Sequence, residues 1–197
     1  ALPISPGYVE YSGTSMAAPH VTGALGVIAE RFGYLTNAQV RDVLVTTAGD
    51  QNQALNKESG WGLISLKTAM SGPGAFLGDF DVTLPESVTD TWSNDITNAL
   101  VRTARDTDRG SLLKRGGGSL TLSGANSFDG FTVHDGLLSL TGLNAYDAGH
   151  DGIVDGGALA LSGTLQGNAL RVTRGLADVS AAGRLDGANL YVGGGNG

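Results

Sequence analysis

Residues 119–130 read SLTLSGANSFDG, and residues 137–148 read LLSLTGLNAYDA. Set one above the other at an offset of 18, they bring together Leu120 and Leu138, Leu122 and Leu140, Gly124 and Gly142, Asn126 and Asn144, Phe128 and Tyr146, Asp129 and Asp147. A further copy begins at ALALSG, residues 158–163, and LQGNALRV at 165–172 returns as LDGANLYV at 185–192 with an offset of 20. Gly124, Gly142, Gly163 and Gly183 mark a period of about 20 residues, the length of one coil of a right-handed parallel β-helix or similar solenoid. Alternate Leu, Val and Ala would fill the interior of each coil, and Gly, Asn and Asp would turn it. A β-sandwich also yields short strands and turns, but it does not require the same residues to return at a fixed offset. Residues 111–197 are therefore expected to form about four solenoid coils.

The chain changes character toward its start. Val21, Ala24, Leu25, Ile28 and Phe32 fall on one face of a helix whose charge is confined to Glu30 and Arg31. A helix that is apolar nearly all round belongs in the middle of a domain, so its packing partners are expected upstream. Thr36 followed by Gln39 predicts a capping box, and Val40, Val43, Leu44 and Thr47 the buried stripe of a second helix. GWGLISLKTAM, residues 60–70, reads as a glycine turn entering a short terminal helix. Residues 73–110 hold Pro73, Pro85 and scattered acids, the composition of a connector with one or two short strands, Val82 and Leu84 in one of them. The expected division is thus 1–72, 73–110 and 111–197.

Composition removes several function classes. The chain has 197 residues, 41% of them hydrophobic, and its 32 glycines lack the three-residue period of collagen. A net charge of −7 without a Lys/Arg cluster argues against a nucleic-acid surface. With no cysteine there is neither a disulfide framework nor a thiolate metal site. No apolar run is long enough for a membrane-spanning helix, and no signal peptide is visible. Because the chain opens at Ala1 and stops in GGGNG, in the middle of its own repeat, it is expected to be an internal fragment. The turn acids Asp129, Asp147, Asp151 and Asp155 lack the dense glycine-aspartate pattern of calcium-binding repeats, so solvated turn acids are expected, with no metal or cofactor.

The chemistry-bearing stretch is YSGTSMAAPHVT, residues 11–22. A serine at a helix N-terminus can act as a nucleophile beside free N–H groups, given a base, yet serine is also a preferred N-cap. Gly13 and Thr14 supply the turn, Ala17 and Ala18 leave room for a substrate backbone, and Pro19 is tolerable if its missing N–H falls in the first helical turn. On local physics alone the cap reading of Ser15 has the advantage.

The full string GTSMAAPHVTGALGVI, residues 13–28, resembles the serine motif of the subtilisin-like serine proteases, the subtilases, and the match over residues 13–21 is unbroken. The resemblance implies that Ser15 is the nucleophile and that its own N–H helps hold the oxyanion, with Gly13, Thr14, Pro19 and His20 supporting the motif. His20 lies five positions on, roughly 140° around the helix from Ser15, and the resemblance makes it structural. His134 and His150 fall in the repeats, where a surface role is expected. The resemblance puts the general base, its orienting aspartate and the oxyanion asparagine upstream, so this chain alone is expected to be inactive. At Ser65 the family more often carries Asn or Asp.

Residues 112–142, LLKRGGGSLTLSGANSFDGFTVHDGLLSLTG, resemble the autotransporter-associated strand repeat, with Lys114, Gly116, Gly118, Leu120, Leu122, Gly124, Asn126, Phe128 and Gly130 in register. Together the two resemblances imply a subtilisin-like autotransporter protease. Its fold would be the mainly helical end of an α/β catalytic domain followed by an all-β solenoid. Protein or peptide substrates, a bacterial surface or secreted location and an outer-membrane β-barrel translocator would follow. A competing expectation is an adhesive or structural β-helix passenger with a vestigial protease segment. The isolated chain is expected to behave as two unequal halves, with a stable core only after about residue 110.

Overall fold

The computed structural model describes residues 12–49, 60–97, 110–146 and 149–193. Among the described residues three helices come first: α1 (Thr14–Arg31), α2 (Asn37–Thr46) and α3 (Leu66–Ala69). The capping box of α2 is formed as its sequence predicts, Gln39 N–H bonding to Thr36 Oγ1 while Gln39 Oε1 accepts from the Thr36 N–H at 2.8 Å. Val40, Val43, Leu44 and Thr47 are all buried. Helix α3 is entered through Gly60 and Gly62, whose φ angles of 59° and 95° are of the kind that favours glycine. Ser65, where the family more often carries Asn or Asp, caps it, its Oγ accepting the Thr68 N–H.

Parallel strands then wind into a β-solenoid. The first coil holds β1 (Phe80–Thr83) and β2 (Thr89–Trp92) and ends at a bridge from Thr97 to Ser127. The next coils hold β3 (Leu112–Arg115), β4 (Ser119–Leu122) and β5 (Asn126–Phe128), then β6 (Phe131–Val133), β7 (Leu137–Leu140) and β8 (Leu143–Tyr146). In the following two coils the first two strands are continuous: β9 (Asp151–Leu161) with β10 (Thr164–Gln166), and β11 (Ala169–Val179) with β12 (Arg184–Asp186). Strand β13 (Asn189–Val192) lies on the first half of β11.

The offsets read from the sequence are the stacking register. Leu120 pairs with Leu138, Leu122 with Leu140, Asn126 with Asn144 and Phe128 with Tyr146. Leu165 pairs with Leu185 and Val172 with Val192, the offset of 20. Asp147 lies outside the described residues. The glycine of each coil sits under the backbone of its neighbour: a Cβ on Gly142 would stand 2.1 Å from Gly124 O, and one on Gly163 would stand 2.0 Å from Gly142 O. Alternation along each strand then buries one ladder of Val82, Val133, Val154 and Val172, and another of Leu120, Leu138 and Leu159. Each fully buried aliphatic side chain contributes on the order of 1.5–3 kcal/mol, against about 0–1 kcal/mol for an exposed ion pair, so interior packing decides the fold.

Three expectations are corrected. Residues 80–97, inside the segment read as a connector, hold the two short strands expected there, Val82 in β1 and Leu84 just past its end, but these form a solenoid coil in register with the next: Phe80 pairs with Leu112 and Thr89 with Ser119. That coil lacks the repeating glycines and asparagine, which is why the sequence hid it. The helices are not without a partner either. Ala24 and Ile28 of α1, Phe32 at its C-cap and the stripe of α2 share one continuous core with Phe80, Trp92 and the solenoid interior, so residues before and after 73 are packed together. The exit of α3 joins the same edge, Ser71 O accepting from Ser93 N–H at 2.8 Å and Gly74 O from Thr97 N–H at 2.9 Å. Finally, two of the four acids read as solvated turn residues, Asp151 and Asp155, lie in β9 and are paired: Asp151 binds Asn168 and Arg171, and Asp155 binds Thr173 and Arg174, each from the following coil.

Candidate active site

Helix α1 begins one residue before Ser15. Its N-cap is Gly13, with φ 143° and no side-chain cap bond, and Met16 and Ala17 N–H both bond to Gly13 O at 3.0 and 3.1 Å. Gly13 takes the cap because this φ disfavours any residue with a Cβ. Ser15, the second helical residue, is therefore not the cap. Among the described residues its hydroxyl and its N–H have no partner, and neither has the N–H of Thr14. Free N–H groups in a first turn present partial positive charge to an anion. Chemically the turn offers an exposed hydroxyl beside backbone donors that could hold an oxyanion.

Pro19 departs from its sequence reading. With the helix starting at Thr14, Pro19 is its sixth residue, beyond the first four unpaired donors. Its absent N–H leaves the Ser15 carbonyl without an intrahelical donor, and its ring crowds that carbonyl. His20 is turned to its own helix, Nδ1 donating to Met16 O at 2.7 Å. It makes no bond to Ser15, and neither His134 nor His150, both in the solenoid, belongs to this turn. His134 Nδ1 stands 3.9 Å from Asp155 Oδ2. Beside the motif lies an open apolar hollow between the first turn of α1 and residues 62–64, walled by Met16, Ala17, Val21 and Leu63. Val21, predicted in the buried stripe, is 38% exposed on this side, so the covered face of α1 runs from Ala24 to its C-terminal end.

That far end carries a polar network the sequence reading missed. Arg31 donates from both terminal nitrogens to the two oxygens of Asp90 on β2, Tyr34 donates its hydroxyl to the same carboxylate, and the Thr91 N–H adds a bond at 2.7 Å. Trp92 Nε1 donates to Tyr34 Oη at 3.0 Å. Burial alone would raise the Asp90 carboxyl, but the bonds from Arg31, Tyr34 and Thr91 outweigh it and hold the group below its ordinary value. The Asp90 bond raises Arg31, and burial with the same bond raises Tyr34. The available signal was phase: in TDTW, residues 89–92, Asp90 stands on the inward side with Trp92, in the ladder occupied by Leu120 one coil on.

The site is an exposed serine in the first turn of a helix whose C-terminal half packs on a parallel β-solenoid. The subtilase family model matches residues 1–62. The chain is 39% identical over 137 residues to serotype-specific antigen 1 of Mannheimia haemolytica, covering 69% of this chain and 13% of that protein. It is 33% identical over 179 residues to an extracellular serine protease of Serratia marcescens, covering 72% and 16%. Against the Neisserial autotransporter lipoprotein NalP of Neisseria meningitidis serogroup B it is 32% identical over 167 residues, covering 82% and 14%. Residues 1–62 are thus a subtilase-family segment, and the chain spans 13% to 16% of the length of these relatives.

Proposed function

We propose that Ser15 is the nucleophile of a subtilisin-like serine endopeptidase displayed on, or secreted from, a bacterial surface. In the whole protein the Ser15 hydroxyl attacks a peptide carbonyl and forms an acyl-enzyme, its N–H shares in holding the oxyanion, and an upstream histidine and aspartate act as base and orienter. The observation that carries this reading is the uncommitted hydroxyl and N–H of Ser15 in the first turn of α1, inside an unbroken family motif. Protein or peptide substrates follow from the chemistry. The names of the Serratia and Neisseria relatives support an extracellular, autotransporter setting, with a β-barrel translocator as the membrane partner. His20 has no proton-transfer part, and the 197 residues alone, without base or orienter, are inactive. The test is proteolysis by the full-length protein: Ser15→Ala abolishes it, with a loss of turnover on the order of a millionfold. Unchanged cleavage by that variant would end the assignment and favour a non-catalytic passenger.

A further inference from the structure

The helix that carries Ser15 in its first turn is held at its other end by the solenoid. Arg31 closes α1, and both of its terminal nitrogens reach Asp90, a 7% exposed carboxylate in the first coil that also takes bonds from Tyr34 and from the Thr91 N–H. The first coil grips the other helices as well. Gln39 Nε2 of α2 donates to Asp81 O at 2.6 Å, and Asn94 Nδ2 donates to Thr68 O of α3 at 2.9 Å. A guanidinium fork on a carboxylate fixes direction as well as distance, and α1 runs unbroken from Thr14 to Arg31 although Pro19 withholds one of its bonds, so what sets its roll and axial position at Arg31 bears on where Ser15 stands. The N-terminal half of α1 is exposed here, whereas Ala24, Ile28 and Phe32 are buried, so within this chain the C-terminal half does the anchoring.

We infer that Asp90 is a positioning residue for Ser15, which makes the first solenoid coil a working part of the catalytic unit and not merely its attachment. The inference rests on the nucleophile reading of Ser15. It requires no contact between Asp90 and substrate: the carboxylate acts through Arg31 and the helix. A displacement of about 1 Å at a reacting group can cost on the order of a hundredfold in rate, so a slackened anchor is felt in turnover before it is felt in binding.

The experiment uses the full-length protein and measures the rate of fluorophosphonate inactivation per active site, with the sites counted by end-point labelling so that unfolded molecules drop out. Asp90→Asn is expected to slow inactivation and lower kcat by about tenfold or more while KM stays near its original value. Arg31→Gln is expected to do the same, and the double variant to be no slower than either single one, because both remove one interaction. If Asp90→Asn does not fold, Tyr34→Phe, which withdraws one of the bonds to Asp90, decides the matter through a smaller drop in the same direction. Inactivation per site at the original rate in Asp90→Asn, or in Tyr34→Phe where that variant stands in, would overturn the inference. If the unaltered protein does not label at Ser15, it is the nucleophile reading that has failed.

Discussion

Asn126 donates its side-chain amide to Oδ1 of Asn144, one coil further on, at 2.8 Å. Each amide also reaches the carbonyl two residues back, Gly124 O and Gly142 O, and Oδ1 of Asn126 accepts the Ile96 N–H from the coil before. The result is a buried polar ladder through three coils, satisfied because each coil supplies what its neighbour lacks. Asn126→Ala strands the Ile96 N–H and the Asn144 oxygen and is expected to cost about 3 kcal/mol. Asn144→Ala leaves Asn126 its bond to Gly124 O and is expected to cost about 1 kcal/mol. Denaturant unfolding of the two variants checks the order, and equal costs would contradict the ladder.

Gly142→Ala would set a Cβ 2.1 Å from Gly124 O, against backbone that cannot swing aside. Stacking of the two coils is expected to fail locally, with a loss of about 3 kcal/mol or more. Gly26→Ala is the control: nothing lies within 4 Å of its added Cβ, and in this chain the exposed helical position should gain about 0.5–1 kcal/mol. Thermal unfolding distinguishes the two.

Lys114 is fully buried in a ladder that otherwise carries Val82, Val133, Val154 and Val172. Its ammonium donates to the carbonyls of Arg115, Gly116 and Asp135 at 3.0, 2.8 and 3.0 Å, using all three protons. Lys114→Met keeps the stem and removes the donors, and a loss of about 1–3 kcal/mol is expected from the carbonyls left behind. A variant as stable as the original would show that turn geometry, not the ammonium, holds this corner.

The Asp90 carboxyl sits below its ordinary value of 3.8 in the folded chain. Its contribution to stability is therefore complete above that value and is lost as pH falls through the lower, folded value. Between about pH 5 and pH 2 the melting temperature should fall less steeply in Asp90→Asn than in the original chain. Parallel acid limbs in the two proteins would contradict the network.

What the sequence made legible is what repeats. The offsets of 18 and 20 became strand register because a parallel stack puts like residues on like residues. The capping box of α2 was legible for a different reason, since both partners lie within one turn. The first coil was not, because Phe80 to Thr97 carry none of the recurring glycines, and because its partners Arg31 and Tyr34 are more than fifty residues away. Asp90 and Lys114 share a single sign, a charge at the inward phase of an alternating strand, whose compensation becomes visible only in three dimensions. Ser15 was located by its motif, whereas the cap that frees it depends on the backbone of Gly13.

The central claim is that Ser15 reacts. The most direct measurement treats the full-length protein with a fluorophosphonate, digests it and locates the adduct by mass spectrometry. The account predicts one phosphonylated residue, Ser15, in the peptide containing GTSMAAPH, residues 13–20, and no adduct in Ser15→Ala. An active protein whose adduct lies on any other residue, or which labels equally well after Ser15→Ala, would contradict it.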